Sequence, residues 1–136
     1  MNVNARMLNG GYVQARAFVV NQAFSFIGDF NPQTGTLLIP GHALSGKCMA
    51  GKVLVCPCGK GGTMAPFVLY EAHQRGLAPA AIFCDNVDPI LLESAMIIDI
   101  PIFDRFETSV VELFHYNQFI TINDESIILS HSLAIR

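Results

Sequence analysis

A chain of 136 residues is long enough for one domain with a real core, and residues 1–136 read as a single domain without linker, repeat or low-complexity stretch. Half the residues are hydrophobic and 14% are charged, against about a quarter in an average domain, so either the core is unusually rich or an apolar face awaits a partner. A net charge of −3 with no basic block argues against nucleic acid as a partner, and no apolar run reaches membrane-spanning length.

Tyr12 to Val20 is rich in β-prone residues and sets Val13, Ala15, Ala17 and Val19 on one face. Phe24 to Ile27 is a second apolar piece. Asn31-Pro32-Gln33-Thr34-Gly35 is a turn, after which Thr36 to Ile39 returns as a short strand. Pro40-Gly41 and Gly46 break the next stretch, so the first third predicts antiparallel β structure. From Lys52 the rhythm changes. Lys52 to Cys56 is an apolar run, as expected of a buried strand. The spacing over Met64 to Arg75 predicts a helix with Ala65, Val68, Leu69 and Ala72 on one face. Thr63 is its expected N-cap, Pro66 is tolerable in its first turn, and Gly76 stops it. Ala80 to Cys84 reads as a strand, and Asp88-Pro89 opens a helix to about Ile98 with Asp at N-cap and Pro at N1. Ile100 to Phe103 reads as a strand and Thr108 to Phe114 as a short helix. Phe119 to Ile122 and Ile127 to Leu129 form a terminal hairpin. The βαβ alternation predicts an α/β domain with a partly parallel sheet and a β-rich N-terminal layer packed on it.

The segment Gly59-Lys60-Gly61-Gly62-Thr63 joins the Lys52–Cys56 strand to the first helix. Glycines let backbone N–H groups approach a ligand, and a helix start adds free donors and a positive dipole end. Lys60 adds a cation. These features suit a carboxylate or phosphate, although the same turn also serves merely to reverse a chain. It is neither a P-loop nor a dinucleotide fingerprint, because no Gly-Lys-Ser/Thr closes it and the third glycine is missing.

Cys48, Cys56, Cys58 and Cys84 form no C-x-x-C pair and have no local His or third Cys to complete a zinc pattern, so reduced, partly buried thiols are expected and no metal ligands are assigned. His42 lies in a glycine-flanked loop where it either touches a ligand or partner or is structural; His73, His115 and His131 suggest no triad. The N-terminus lacks the basic start and apolar core of a signal peptide, and the expected location is the cytoplasm.

Several short motifs follow in one order. They are Ser25-Phe26-x-Gly28, Asn31-Pro32-x-Thr34-Gly35, His42-x-Leu44-x-Gly46 and Ala50-Gly51-Lys52-Val53-Leu54-Val55. The glycine turn, Ala78-Pro79-Ala80-Ala81-Ile82, Asp88-Pro89-Ile90-Leu91 and Ile100-Pro101 complete the series. Over roughly residues 11 to 104 the chain resembles the small, swivel-domain subunit of the aconitase X family. The resemblance implies a three-layer β/β/α swivelling domain. It further implies a large aconitase X-like subunit carrying an iron or iron–sulfur centre, with no cofactor in this chain. Family reactions are dehydrations of small anionic hydroxy acids, cis-3-hydroxy-L-proline or mevalonate 5-phosphate. The implied role here is substrate binding by Ser25, Gly59, Lys60, Gly61, Gly62 and Thr63, as the small subunit of a two-subunit hydro-lyase. The apolar surplus fits an obligate interface, and self-association is plausible when that face is uncovered.

The chain departs from the family at the chemistry. Family members typically read Arg-Gly-Ser-Ser/Cys-x-Gly-Ser where this chain has Lys60-Gly61-Gly62-Thr63-Met64-Ala65-Pro66. Gly62 stands at the expected active-site serine, and Lys60 lacks the planar bidentate grip of arginine. Thr63 is the one hydroxyl left in the turn, either a catalytic base in a strongly positive site or a helix cap. A stand-alone ligand-binding or regulatory domain that has lost catalysis is the alternative reading.

Overall fold

The computed structural model describes residues 1–130. In chain order the elements are β1 (Asn2–Val3), β2 (Arg6–Asn9), β3 (Tyr12–Val19), β4 (Phe30–Asn31), β5 (Thr36–Leu37), β6 (Val53–Cys56) and α1 (Ala65–Gln74). They continue with β7 (Ala81–Cys84), α2 (Pro89–Ile97), β8 (Ile102–Asp104), α3 (Val110–Leu113), β9 (Phe119–Asn123) and β10 (Ser126–Leu129).

Eight strands form one curled, mixed sheet in the order β1-β10-β9-β3-β6-β7-β8-β2. Strands β3, β6, β7 and β8 are parallel, with Val55 opposite Val19 on one side and Phe83 on the other. Parallel neighbours need long crossovers, which α1 and α2 supply for β6–β7 and β7–β8. Hairpin β9–β10 adds antiparallel to β3, pairing Ile120 with Ala15.

Apolar residues on both faces of the parallel strands create two cores. On one face Phe18, Leu54, Cys56, Ile82 and Cys84 pack under α1 and α2 through Leu69, Ala72, Leu91 and Ala95. On the other, Ala17, Val53, Val55 and Phe83 meet Ile120, Ile122 and Ile127 of the hairpin and Val110 and Phe114 around α3. The helical layer, the central strands and the curled β layer give the expected α/β architecture.

The local differences have physical causes. Strands β1 and β2 are too short and too polar to read from the sequence; Asn2–Val3 exist through pairing with β10, and Arg6–Asn9 through pairing with β8. The β-rich beginning supplies β3 to the main sheet, and residues 20–50 are mostly loop, not antiparallel strands. Their one ribbon pairs Phe30 with Leu37. The apolar run there serves the core: Phe24, Phe26 and Phe30 stack edge to face at centroid distances of 4.9 and 5.2 Å. Helix α1 ends as expected at Gly76 (φ +74°), where the Leu77 and Gly76 amides donate to the carbonyls of Ala72 and His73.

Candidate functional site

Because β3, β6 and β7 run parallel, the loops after Val19, Cys56 and Cys84 emerge at one edge of the sheet, where open α/β sheets bind ligands. The glycine turn lies there. Phe24 clamps it in place: its amide donates to Cys58 O at 3.0 Å and its carbonyl accepts from the Lys60 amide at 3.0 Å. Ser25 is buried behind the turn; its hydroxyl donates to Gly61 O at 2.9 Å and accepts from the Ile27 amide at 3.0 Å. Ser25, placed in the site by sequence, is thus brought to the turn, with its hydroxyl engaged in holding it.

Lys60 is brought there too, but its ammonium pairs with Asp29 Oδ2 at 2.9 Å. The same carboxylate oxygen accepts from the Ser25 amide at 3.0 Å. Asp29 was not legible in the sequence, because a Gly-Asp step reads as a loop residue until the fold sets it beside Lys60. The cation expected from the sequence is therefore paired with a carboxylate rather than free.

The backbone donors remain. Among the described residues the amides of Gly61, Gly62, Thr63 and Met64 donate no hydrogen bond, and they run directly into the ten-residue α1. Four consecutive free N–H groups at a helix start are an arrangement suited to an oxyanion. Gly61 (φ +86°) and Gly62 (φ +97°) supply the left-handed backbone that this requires. A Cβ on Gly62 would lie 3.0 Å from Ile27 Cγ1 and 3.3 Å from Ser25 Oγ, so a side chain there needs Ile27 to move. At Gly59 a Cβ would lie 2.5 Å from Asp88 Oδ1, which reserves that position for glycine.

One capping expectation is corrected, and the other is met in position but not by a side-chain bond. Met64, not Thr63, holds the N-cap of α1 and no side chain caps it, because the left-handed pair Gly61–Gly62 delays the helix until Ala65, whose amide takes Gly62 O. Thr63 is exposed, and its hydroxyl has no hydrogen bond among the described residues. Asp88 does sit at the N-cap of α2 with extended dihedrals, yet its side chain makes no capping bond, and Oδ1 lies buried without a partner against Gly59.

Cys56 and Cys84 end β6 and β7 side by side, with sulfurs 3.6 Å apart. The hydrogen bond from Cys56, with burial second, pushes the Cys84 thiol well above its ordinary pKa, which favours the protonated thiol over the thiolate that metals bind. No group of three or more His, Cys, Asp or Glu side chains among the described residues is placed to hold a metal ion. His73 and His115 lie on α1 and on the loop after α3, and His131 lies outside the described residues.

The family model described as the aconitase X swivel domain matches residues 2–130. The chain belongs to the aconitase X swivel domain family. This swivel domain is 39% identical over 105 residues to the phosphomevalonate dehydratase small subunit of Methanothrix thermoacetophila, covering 77% of each chain. It is 37% identical to the protein of that name from Methanocella arvoryzae, covering 90% of this chain and 93% of that one. Its backbone superimposes on the crystal structure of Thermococcus kodakaraensis aconitase X (holo-form) with a TM-score of 0.88 and 26% identity, covering 96% of this swivel domain and 99% of that chain. No helix among the described residues of the swivel domain is long and apolar enough to cross a membrane.

Proposed function

We propose that this swivel domain is the small subunit of a two-subunit phosphomevalonate dehydratase, a hydro-lyase acting in the cytoplasm on mevalonate 5-phosphate. The carrying observation is the run of four free amides from Gly61 to Met64 at the start of α1, an anion grip, on a chain whose relatives are named small subunits of that enzyme. Those names favour the two-subunit reading over a stand-alone binding domain, and mevalonate 5-phosphate over cis-3-hydroxy-L-proline.

Dehydrating a hydroxy acid needs a Lewis acid on the leaving hydroxyl, a proton acceptor and a grip on the anionic group. In this reading the Lewis acid, an iron or iron–sulfur centre, belongs to the large subunit. The chain's own part is to bind and orient. The amides of residues 61–64 hold an oxyanion, Gly59 lets the turn approach α2, and Ser25 with Asp29 and Lys60 keeps the turn in shape. Thr63 presents an unengaged hydroxyl at the mouth of the turn and is the candidate for proton transfer.

Co-expression with an aconitase X-like large subunit from the same organism and assay of the purified pair tests this. The pair is expected to dehydrate mevalonate 5-phosphate and to leave cis-3-hydroxy-L-proline untouched. Thr63→Ala is expected to lower kcat at least tenfold with less effect in Thr63→Ser, consistent with general acid–base contributions of roughly a hundredfold or more. Recovery of the chain alone, or a pair inert toward mevalonate 5-phosphate, would sink the reading.

A further inference from the structure

The glycine turn follows β6, which lies between β3 and β7 in the sheet, and it is supported from both neighbours. Phe24 and Ser25 hold it from the segment after β3. The loop 85–88, between β7 and α2, supports the other side. The Asp85 and Asn86 amides donate to Pro57 O at 3.0 and 3.4 Å, which ties this loop to the segment leading from β6 into the turn. Asp88 then packs on Gly59 so closely that its Oδ1 would lie 2.5 Å from a Cβ there. The first glycine of the turn thus rests on Asp88.

No side-chain bond holds Asp88 in that place. It makes no capping bond to α2, and its Oδ1 has no partner among the described residues. Its position follows from backbone anchors on either side. On one side the Leu92 amide of α2 donates to Asp88 O at 3.0 Å. On the other, the Val87 amide donates to Asp104 Oδ2 at 3.0 Å. Asp104 ends β8 and is buried. Arg6 of β2 grips both oxygens of its carboxylate, Nε to Oδ1 at 2.8 Å and Nη2 to Oδ2 at 2.9 Å. A two-point guanidinium–carboxylate pair fixes direction as well as distance, so the acceptor for Val87 is itself held still. Only the Val87–Asp88 peptide separates this anchor from the residue under Gly59.

We infer that Asp104, held by Arg6, is a positioning residue for the anion grip: it sets the loop 85–88, and through the contact of Asp88 with Gly59 it sets the turn whose amides receive the substrate anion. The inference rests on the proposed function for the turn's role as that grip. Each link is a printed contact between neighbours: Arg6 to Asp104, Asp104 to Val87, Asp88 to Gly59. Coupling between distant groups is carried by such packed and hydrogen-bonded chains, and a double-mutant cycle measures it.

Two substitutions separate positioning from stability. Asp104→Asn keeps an oxygen for the Val87 amide, and Asp104→Leu fills a similar volume without an acceptor. In the two-subunit enzyme, assayed well below the unfolding midpoints, Asp104→Leu is expected to raise KM for mevalonate 5-phosphate roughly three- to thirtyfold with kcat little changed. Asp104→Asn is expected to stay within about twofold of the parent. An unchanged KM in Asp104→Leu, as a role confined to stability gives, or an equal rise in both variants overturns the inference. Asp88→Ala is expected to raise KM too and to remove most of the further effect of Asp104→Leu; full additivity overturns the link through Asp88. Arg6→Gln loosens Asp104 from an exposed strand and decides the matter where Asp104→Leu does not fold. In the full chain labelled with ¹⁵N, Arg6→Gln is expected to shift the amide resonances of Val87, Gly59, Gly61 and Gly62 and to leave those of β9 in place. Unmoved glycine resonances overturn the inference. A pair inert toward mevalonate 5-phosphate defeats the proposed function separately, and the resonances then decide the positioning role by themselves.

Discussion

The Ser25 hydroxyl donates to the carbonyl of Gly61 at 2.9 Å, bridging thirty-six positions of sequence to fix the shape of the glycine turn. Its oxygen also accepts the Ile27 amide, so one buried side chain satisfies two backbone groups. Ser25→Ala leaves both without their partner and is expected to cost about 1–3 kcal/mol in urea unfolding. The turn loosens with it, so KM for the anionic substrate is expected to rise in the assembled enzyme. A variant as stable as the parent, with unchanged KM, would remove Ser25 from the account of the site.

Asp29 governs the charge of the turn through its 2.9 Å contact with Lys60. Asp29→Asn keeps an acceptor for the Ser25 amide and deletes one negative charge beside the free amides. Titration calorimetry with inorganic phosphate at low salt is expected to show tighter binding, by several-fold, with the gain shrinking as screening grows. Weaker binding in the variant would mean that Lys60 must be held by Asp29 to serve the ligand.

Gly59 has no left-handed requirement; its need for glycine is steric. Gly59→Ala drives a methyl to 2.5 Å from Asp88 Oδ1 and 3.1 Å from Leu91, for an expected cost of about 1–3 kcal/mol. Adding Asp88→Ala removes the first of these neighbours and is expected to restore part of the loss. The double-mutant cycle is read by denaturant midpoints, and strict additivity of the two changes contradicts the contact.

Asp104 makes an acid-sensitive contact in the fold. Burial alone would raise its pKa, but the Arg6 guanidinium at 2.8 and 2.9 Å and the Val87 amide at 3.0 Å hold the carboxyl below its ordinary value. The folded value lies below the unfolded one, so this stabilisation is complete above about pH 4, near the unfolded carboxyl, and is lost as pH falls through the folded value. Urea unfolding from neutral pH downward is expected to show that acid loss, and Asp104→Asn to be less stable at neutral pH with a flatter acid branch. Parallel acid branches would place the sensitivity elsewhere.

Phe67 and Tyr70 stand exposed on α1, with Met64 and Ile27 exposed beside the turn. Large exposed apolar side chains grouped in this way suit a partner face. Phe67→Lys is expected to weaken assembly with the large subunit, read by analytical ultracentrifugation, while leaving the unfolding midpoint within about 0.5 kcal/mol of the parent, as for most surface substitutions. Unimpaired assembly would move the interface off this face.

What the sequence by itself determined was whatever local periodicity and backbone freedom encode. Continuous apolar runs set Val53–Cys56 and Ala81–Cys84 as buried strands, 3.6-residue spacing set α1, and Gly76 set its end. The ordered motifs carried the family, and the glycines marked the turn. The tertiary structure alone decided what depends on residues far apart in sequence. Asn2–Val3 and Arg6–Asn9 become strands because β10 and β8 offer them edges. Phe24 and Phe26 leave the strand pattern because the core takes their rings. Lys60 meets Asp29, Thr63 loses the cap to Met64, and Arg6 meets Asp104. Each of these follows from packing and long-range hydrogen bonding, whose energies no local window of sequence contains.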